Sequence, residues 1–181
     1  TPGAVQTTSG GVTGFVAKVA ADGKSAGYVT YFEGDKGVDM YGIAVDAGGN
    51  AYVTGSTRST NLKVTPGAPQ VTPPTTEVEN GFVFKLNPTG TGVVWGTYLG
   101  APGRNSPSVI TIARAGSIYV IEQTDLYGAP FPTTAGAYKT TSCIDQCNQA
   151  WLVKYNPQGG VVFFTLLGDF DLTHGGAWSG G

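Results

Sequence analysis

The 181 residues suffice for one or two ordinary domains, but only 12% are charged, about half the ~25% usual in soluble domains. Ten Lys plus Arg against twelve Asp plus Glu give a net charge of −2 with no basic patch. That balance argues against nucleic acid and anionic membrane as partners, and no apolar run approaches the ~20 residues of a membrane helix.

Taken in order, the chain repeats itself. Thr1-Pro2-Gly3-Ala4 returns as Thr65-Pro66-Gly67-Ala68 and as Thr134-Ala135-Gly136-Ala137. Gly14 to Val19 returns as Gly81 to Leu86 and as Ala150 to Tyr155, and Thr30-Tyr31-Phe32 returns as Thr97-Tyr98-Leu99 and as Thr165-Leu166-Leu167. The period of the last two motifs is about 67 to 69 residues, and the order of the motifs does not change.

One period predicts four short strands. Tyr41 to Val45 and Ala51 to Ser56 form a hairpin around Asp46-Ala47-Gly48-Gly49-Asn50, where Gly48, Gly49 and Asn50 are the residues that accept positive φ. A Thr/Pro-rich loop runs from Thr57 to Asn80; its Val71 to Thr76 tract reads as a plain extended loop or an acceptor of O-linked sugars. The third strand, Gly81 to Leu86, places Phe82, Phe84 and Leu86 on one face and Val83 and Lys85 on the other. The fourth, Val93 to Leu99, places Val93, Trp95 and Leu99 opposite Val94 and Tyr98. Strands apolar on both faces imply a sheet covered on both sides.

Four antiparallel strands, repeated and covered on both faces, describe a β-propeller blade. The succession Gly42 to Asp46, Gly49 to Thr57, Thr65 to Ala68, Gly81 to Gly90 and Thr97 to Gly100 resembles the bacterial SBBP (beta-propeller) repeat. The resemblance covers nearly the whole chain and is strongest from Gly14 to Gly100. The next copy departs from it: Ala113 to Ile118 replaces the Asp-and-Asn turn, and Ile121-Glu122-Gln123 replaces Thr54-Gly55-Ser56. The resemblance implies export from a bacterium, an extracellular or cell-surface location and a repeat scaffold, without catalytic residues.

The expected fold class is therefore all-β: an incomplete propeller of under three antiparallel four-stranded blades. Residues 1–40 read as a partial blade supplying third and fourth strands, 41–107 and 108–168 as full blades, and 169–181 as the start of a further one. Closed propellers have roughly four to eight blades. The chain is thus expected to belong to a longer propeller or to be completed by copies of itself, and its start at Thr1 reads as a mature or excised end. Phe15, Phe82, Phe84, Trp95 and Trp151 are the expected core between blades.

Candidate chemistry is sparse. Cys143 and Cys147 are expected to close a local disulfide; a free pair and a metal-bound pair are the alternatives, and no second pair or nearby His completes a zinc site. Asp35, Asp39, Asp169 and Asp171, with His174 beside the last two, could ligate a cation or serve as turn residues. Asp46 and Asn50 read as turn residues whose side chains bond backbone amides. Tyr127, Phe131 and Tyr138 are the loop aromatics best suited to stack on sugar rings, with packing against the blade edge as the plain alternative. No Gly-x-Ser-x-Gly elbow occurs. The expected function is a non-enzymatic, exported scaffold without cofactor, which packs against further blades or other subunits as a filament or surface-layer building block. An extracellular glycan-binding module, or the non-catalytic part of a propeller hydrolase, is the alternative.

Overall fold

A computed structural model describes residues 4–8, 14–126, 132–141 and 148–170. These form ten strands and no helix, with every paired neighbour antiparallel. The fold is all-β, as expected, in propeller-like blades that do not close into a ring. The first sheet holds β1 (Gly14–Val19) and β2 (Ala26–Phe32). The second holds β3 (Val38–Val45), β4 (Ala51–Thr57), β5 (Asn80–Leu86) and β6 (Val93–Leu99) in that order. The third repeats the arrangement with β7 (Gly103–Ile112), β8 (Ile118–Leu126), β9 (Asn148–Tyr155) and β10 (Val161–Phe170).

The strands follow from local chemistry. In the β3–β4 hairpin the Gly49 N–H donates to the Asp46 carbonyl at 2.9 Å, and Gly49 takes φ 80°, a region closed to residues with a Cβ except at a cost. Of the two adjacent glycines it alone is left-handed, so the expectation for Gly48 is corrected. The β7–β8 turn has lost the Asp and Asn but keeps the left-handed glycine, Gly116 at φ 78°, and the same bond from its N–H to the Ala113 carbonyl. One glycine is enough to preserve the turn.

The segments at 65–68 and 134–137 have a shared task. Thr65 N–H donates to Gly96 and Tyr98 N–H to Gln70, so the long loop runs along the outer edge of β6. Thr134 to Phe164 and Leu166 to Lys139 repeat this on β10, and Tyr31 to Gln6 on β2. A covered edge cannot recruit another strand. Tyr98 fastens the same loop from within, its hydroxyl accepting from Leu62 N–H and donating to the Ser59 carbonyl.

Two cores lie between the sheets. Between the first and second, Val16, Tyr28 and Phe32 meet Phe82, Phe84 and Leu86. Between the second and third, Tyr52, Val83 and Trp95 meet Val120, Trp151 and Tyr155. β5 lies between both cores, and Phe82, Val83, Phe84 and Leu86 are at most 1% exposed. Edge-on ring contacts knit the first core, Phe84 to Phe32 at 5.4 Å and to Phe82 at 5.7 Å. Trp95 and Trp151 are core residues, as read from the strand pattern. Trp95 lies 5.8 Å from the Tyr155 ring and donates from Nε1 to the Pro157 carbonyl.

Two expectations fail for identifiable reasons. Val93 packs with the first core, opposite to Trp95 and Leu99, because a bulge pairs Leu86 with Val93 directly after Lys85 with Trp95. The extra residue reverses the alternation. Phe15 is 63% exposed rather than core, because it points away from the second sheet and no described strand covers that side. Strand limits also move: β3 begins at Val38 rather than Tyr41, and the third sheet begins at Gly103.

Candidate interaction surfaces

Several acidic residues of the described chain clamp loops. Asp46 accepts from the Asn50 side chain at 3.0 and 2.8 Å, from the Asn50 N–H at 2.9 Å and from the Tyr52 hydroxyl at 3.1 Å. Lys85 stands 3.9 Å from this carboxylate and 5.0 Å over the Tyr52 ring. Partial burial pushes the Asp46 carboxyl up, but the Asn50 and Tyr52 bonds and the Lys85 charge outweigh it and hold it below the usual range. Tyr52 is pushed up to about 12 by burial and by donating to Asp46. Asp46 is a turn clamp.

Asp35 clamps a second loop. Its carboxylate accepts from the Thr60 N–H and hydroxyl, and its own N–H donates to Asn61. The Thr60 N–H chiefly holds it below the ordinary carboxylate range. Glu79 accepts from Arg58 at 2.9 Å and lies 3.2 Å from Arg104, tying the long loop to the start of β7. Asp39 is exposed at the start of β3. No group of three or more His, Cys, Asp or Glu among the described residues could hold a metal ion. Asp169 lies in β10, its backbone paired with Gln149. Asp171, His174, Cys143, Cys147, Tyr127 and Phe131 fall outside the described residues, and Tyr138 is 76% exposed.

Glu122 is the residue whose setting the sequence did not disclose. It is fully buried beside the second core, and among the described residues neither carboxylate oxygen has a hydrogen-bond partner. Burial pushes its pKa well above the ordinary value and so favours the neutral carboxyl. Its signal was the replacement of Gly55, one period earlier, by a carboxylate.

The remaining features are surfaces. On the outer side of the first sheet, Phe15 and Val19 are 63% and 59% exposed. Beside them Tyr41, Ile43 and Val45 on β3 are at least half exposed, and a cavity of about 160 Å³ separates β1 from β3. At the other end of the stack the third sheet carries a copy of the covered face of the second. Tyr119 and Phe163 meet edge-on at 6.4 Å, as Tyr52 and Trp95 do at 6.2 Å. Lys154 lies 5.3 Å over Tyr119, as Lys85 lies 5.0 Å over Tyr52. The second sheet buries its set against Tyr155; among the described residues the third sheet's set has no sheet over it.

A family model, the SBBP beta-propeller repeat, matches residues 27–63. Over these residues the chain is similar to an SBBP beta-propeller repeat. The matched unit is out of phase with the blades. It runs from β2 of the first sheet through the β3–β4 hairpin of the second and into the loop covering β6. An SBBP unit in this frame joins the last strand of one blade to the first two strands of the next. A search of curated proteins finds no match to the chain.

Proposed function

We propose that the chain is a non-enzymatic scaffold whose open blade faces dock further blades of the same kind, and that copies stack head to tail. The observation that carries this reading is the repeated trio Tyr119, Lys154 and Phe163. It reproduces, within a few tenths of an ångström, the spacings of Tyr52, Lys85 and Trp95, a set already spent on a blade–blade contact. A face built to that pattern suits the same kind of partner.

The opposite end supports a head-to-tail arrangement, since Phe15 and Val19 occupy the places that Phe82 and Leu86 hold in the buried face of the second blade. A contact of this heterologous type forms a ring if its rotation closes and a filament if it does not. We assign the scaffold to the exterior of the cell; the support is its low charge, its Thr/Pro-rich loops and the SBBP resemblance. No reaction is assigned, because Asp35, Asp46 and Glu79 serve as loop clamps.

Sedimentation velocity of the double variant Tyr119→Ser, Phe163→Ser tests the reading. We expect the assembled fraction of the parent protein to fall to monomer while thermal unfolding of the monomer is unchanged. Unaltered assembly in the variant would overturn it.

A further inference from the structure

The loop straps along the outer edges of β2 and β6 are copies of one another, with Val5-Gln6 in the first holding the places of Pro69-Gln70 in the second. Both glutamine carbonyls do the same task, accepting the N–H of Tyr31 and of Tyr98. The residue before the glutamine does not repeat. Val5 donates its N–H to the Gly90 carbonyl at 3.0 Å, which fastens the first strap to the β5–β6 turn of the next blade. The matching turn between β9 and β10 carries Gly159, left-handed at φ 87° as Gly90 is at φ 68°. Pro69 has no N–H to offer it. Among the described residues the Gly159 carbonyl has no donor.

Both turns are seated on the preceding blade in the same way. A Cβ on Gly90 would lie 2.3 Å from the Tyr28 ring, and one on Gly159 would lie 2.7 Å from the Trp95 ring. The second turn is thus held on Trp95 while its strap stands off, and a cleft of about 320 Å³ separates them. That volume falls at the lower end of the ~300–1,000 Å³ of small-ligand sites. Pro66 to Pro69 line one side, Asn156 and Gln158 to Gly160 the other, and Trp95 lies between.

The lining is neutral and mixed, with no charged residue in it. Gly159 offers its carbonyl. Asn156 uses Oδ1 to accept from the Gln158 and Gly160 N–H groups, and its Nδ2 has no partner among the described residues. Gln158 is exposed at the rim and carries both a donor and an acceptor. Opposite these groups the strap presents proline rings and the Ala68 methyl. A hydrocarbon would leave the carbonyl and the amide unpaired at a cost, and an ion would meet no counter-charge. A ring with several hydroxyls and apolar C–H faces satisfies both sides.

We propose that this cleft binds one neutral hexopyranose ring of a glycan. Its hydroxyls bond the Gly159 carbonyl and the Asn156 and Gln158 carboxamides, and a C–H face lies on the strap prolines. The site sits within the chain, where the second sheet meets the third, and uses neither Tyr119 nor Phe163. It therefore stands or falls separately from stacking of the open faces.

Titration of the ¹⁵N-labelled full chain with the methyl α- and β-glycosides of glucose, galactose and mannose tests the proposal. We expect millimolar binding that shifts the Gln158 and Gly159 amide signals and the Trp95 indole N–H, which donates to Pro157 in the same turn. Pro69→Val supplies the missing N–H and closes the strap on the turn as Val5 does. It should weaken binding about tenfold or more without lowering thermal stability. Gln158→Ala removes a rim carboxamide at an exposed position and should weaken binding several-fold, which keeps the test decisive if the valine strap does not close. No shift with any of the glycosides, or equal binding by the parent and both variants, would overturn the inference. So would shifts at the cleft from a proline-rich peptide and none from the glycosides, which would assign it to a polypeptide.

Discussion

Ile43 in β3 and Ile110 in β7 hold the same place in successive blades, yet Ile43 is 58% exposed and Ile110 is 7% exposed. The difference lies in what precedes each. Ile110 meets the inner strands of the second sheet, with a Cγ2 that would be 3.2 Å from a Cβ on Gly42. Ile43 faces the side where, among the described residues, the first sheet has no inner strands. The same contrast separates Phe82, fully buried, from Phe15, 63% exposed.

This pair makes the first prediction. Ile110→Ser should destabilise the isolated chain by about 3 kcal/mol, the scale of a large buried side chain lost with its cavity. Ile43→Ser should change it by less than about 0.5 kcal/mol, as for other exposed sites. Urea unfolding of the two variants measures the difference; equal losses would mean that Ile43 is covered in the chain as it stands.

Glu122 predicts a pH dependence with a definite sign. Its folded pKa lies well above the ordinary carboxylate value because burial disfavours the charge. Above about pH 4.5 the unfolded chain releases this proton and the folded chain keeps it, so stability falls as pH rises toward the folded pKa, by about 1.4 kcal/mol per unit. Asp46 and Glu79, held low, act in the opposite direction: their contribution is present above the unfolded pKa and lost as pH falls through the lower folded one. Between about pH 5 and 7 both are ionised in either state. Comparing Glu122→Gln with the parent over that window isolates the residue; the variant should lack the parent's decline.

Asp46→Ala should cost about 1–2 kcal/mol, since it leaves the Asn50 amide and the Tyr52 hydroxyl without their acceptor. It should also bring the Tyr52 pKa down toward the ordinary phenol value, which ultraviolet titration reads directly. Loss of stability with no movement of the Tyr52 titration would contradict the assigned bond.

Gly55→Ala should be costly although alanine is the smallest replacement. Its Cβ would lie 1.9 Å from the Asp39 carbonyl oxygen and 2.8 Å from the Phe82 ring, and the first of these is backbone. The β3–β4 pair must part or the substitution cannot be housed, so a loss of about 2 kcal/mol or more is expected in thermal unfolding.

Much of this was legible in the residues. The β3–β4 hairpin follows from Gly49 and its β-branched flanks, the two-sided burial of β5 from Phe82 to Leu86, and the limits of β6 are those read from the pattern. What was not legible depends on neighbours. Phe15 has the side chain and spacing of Phe82, and periodicity cannot say whether a sheet covers it. Val93 follows the alternation of its strand until a bulge, set by pairing with β5, reverses it. Glu122 reads as a surface carboxylate by type, while its position in β8 buries it.

Molar mass by light scattering after size exclusion, on the unmodified chain over a range of concentrations, reads whether the open faces dock. Open faces that dock repeat units predict a mass that rises with concentration to multiples of 18.6 kDa, with rings or filaments in electron micrographs of the same fractions. A mass of 18.6 kDa at every concentration would mean that the Tyr119–Phe163 face does not bind another copy, and would contradict the account.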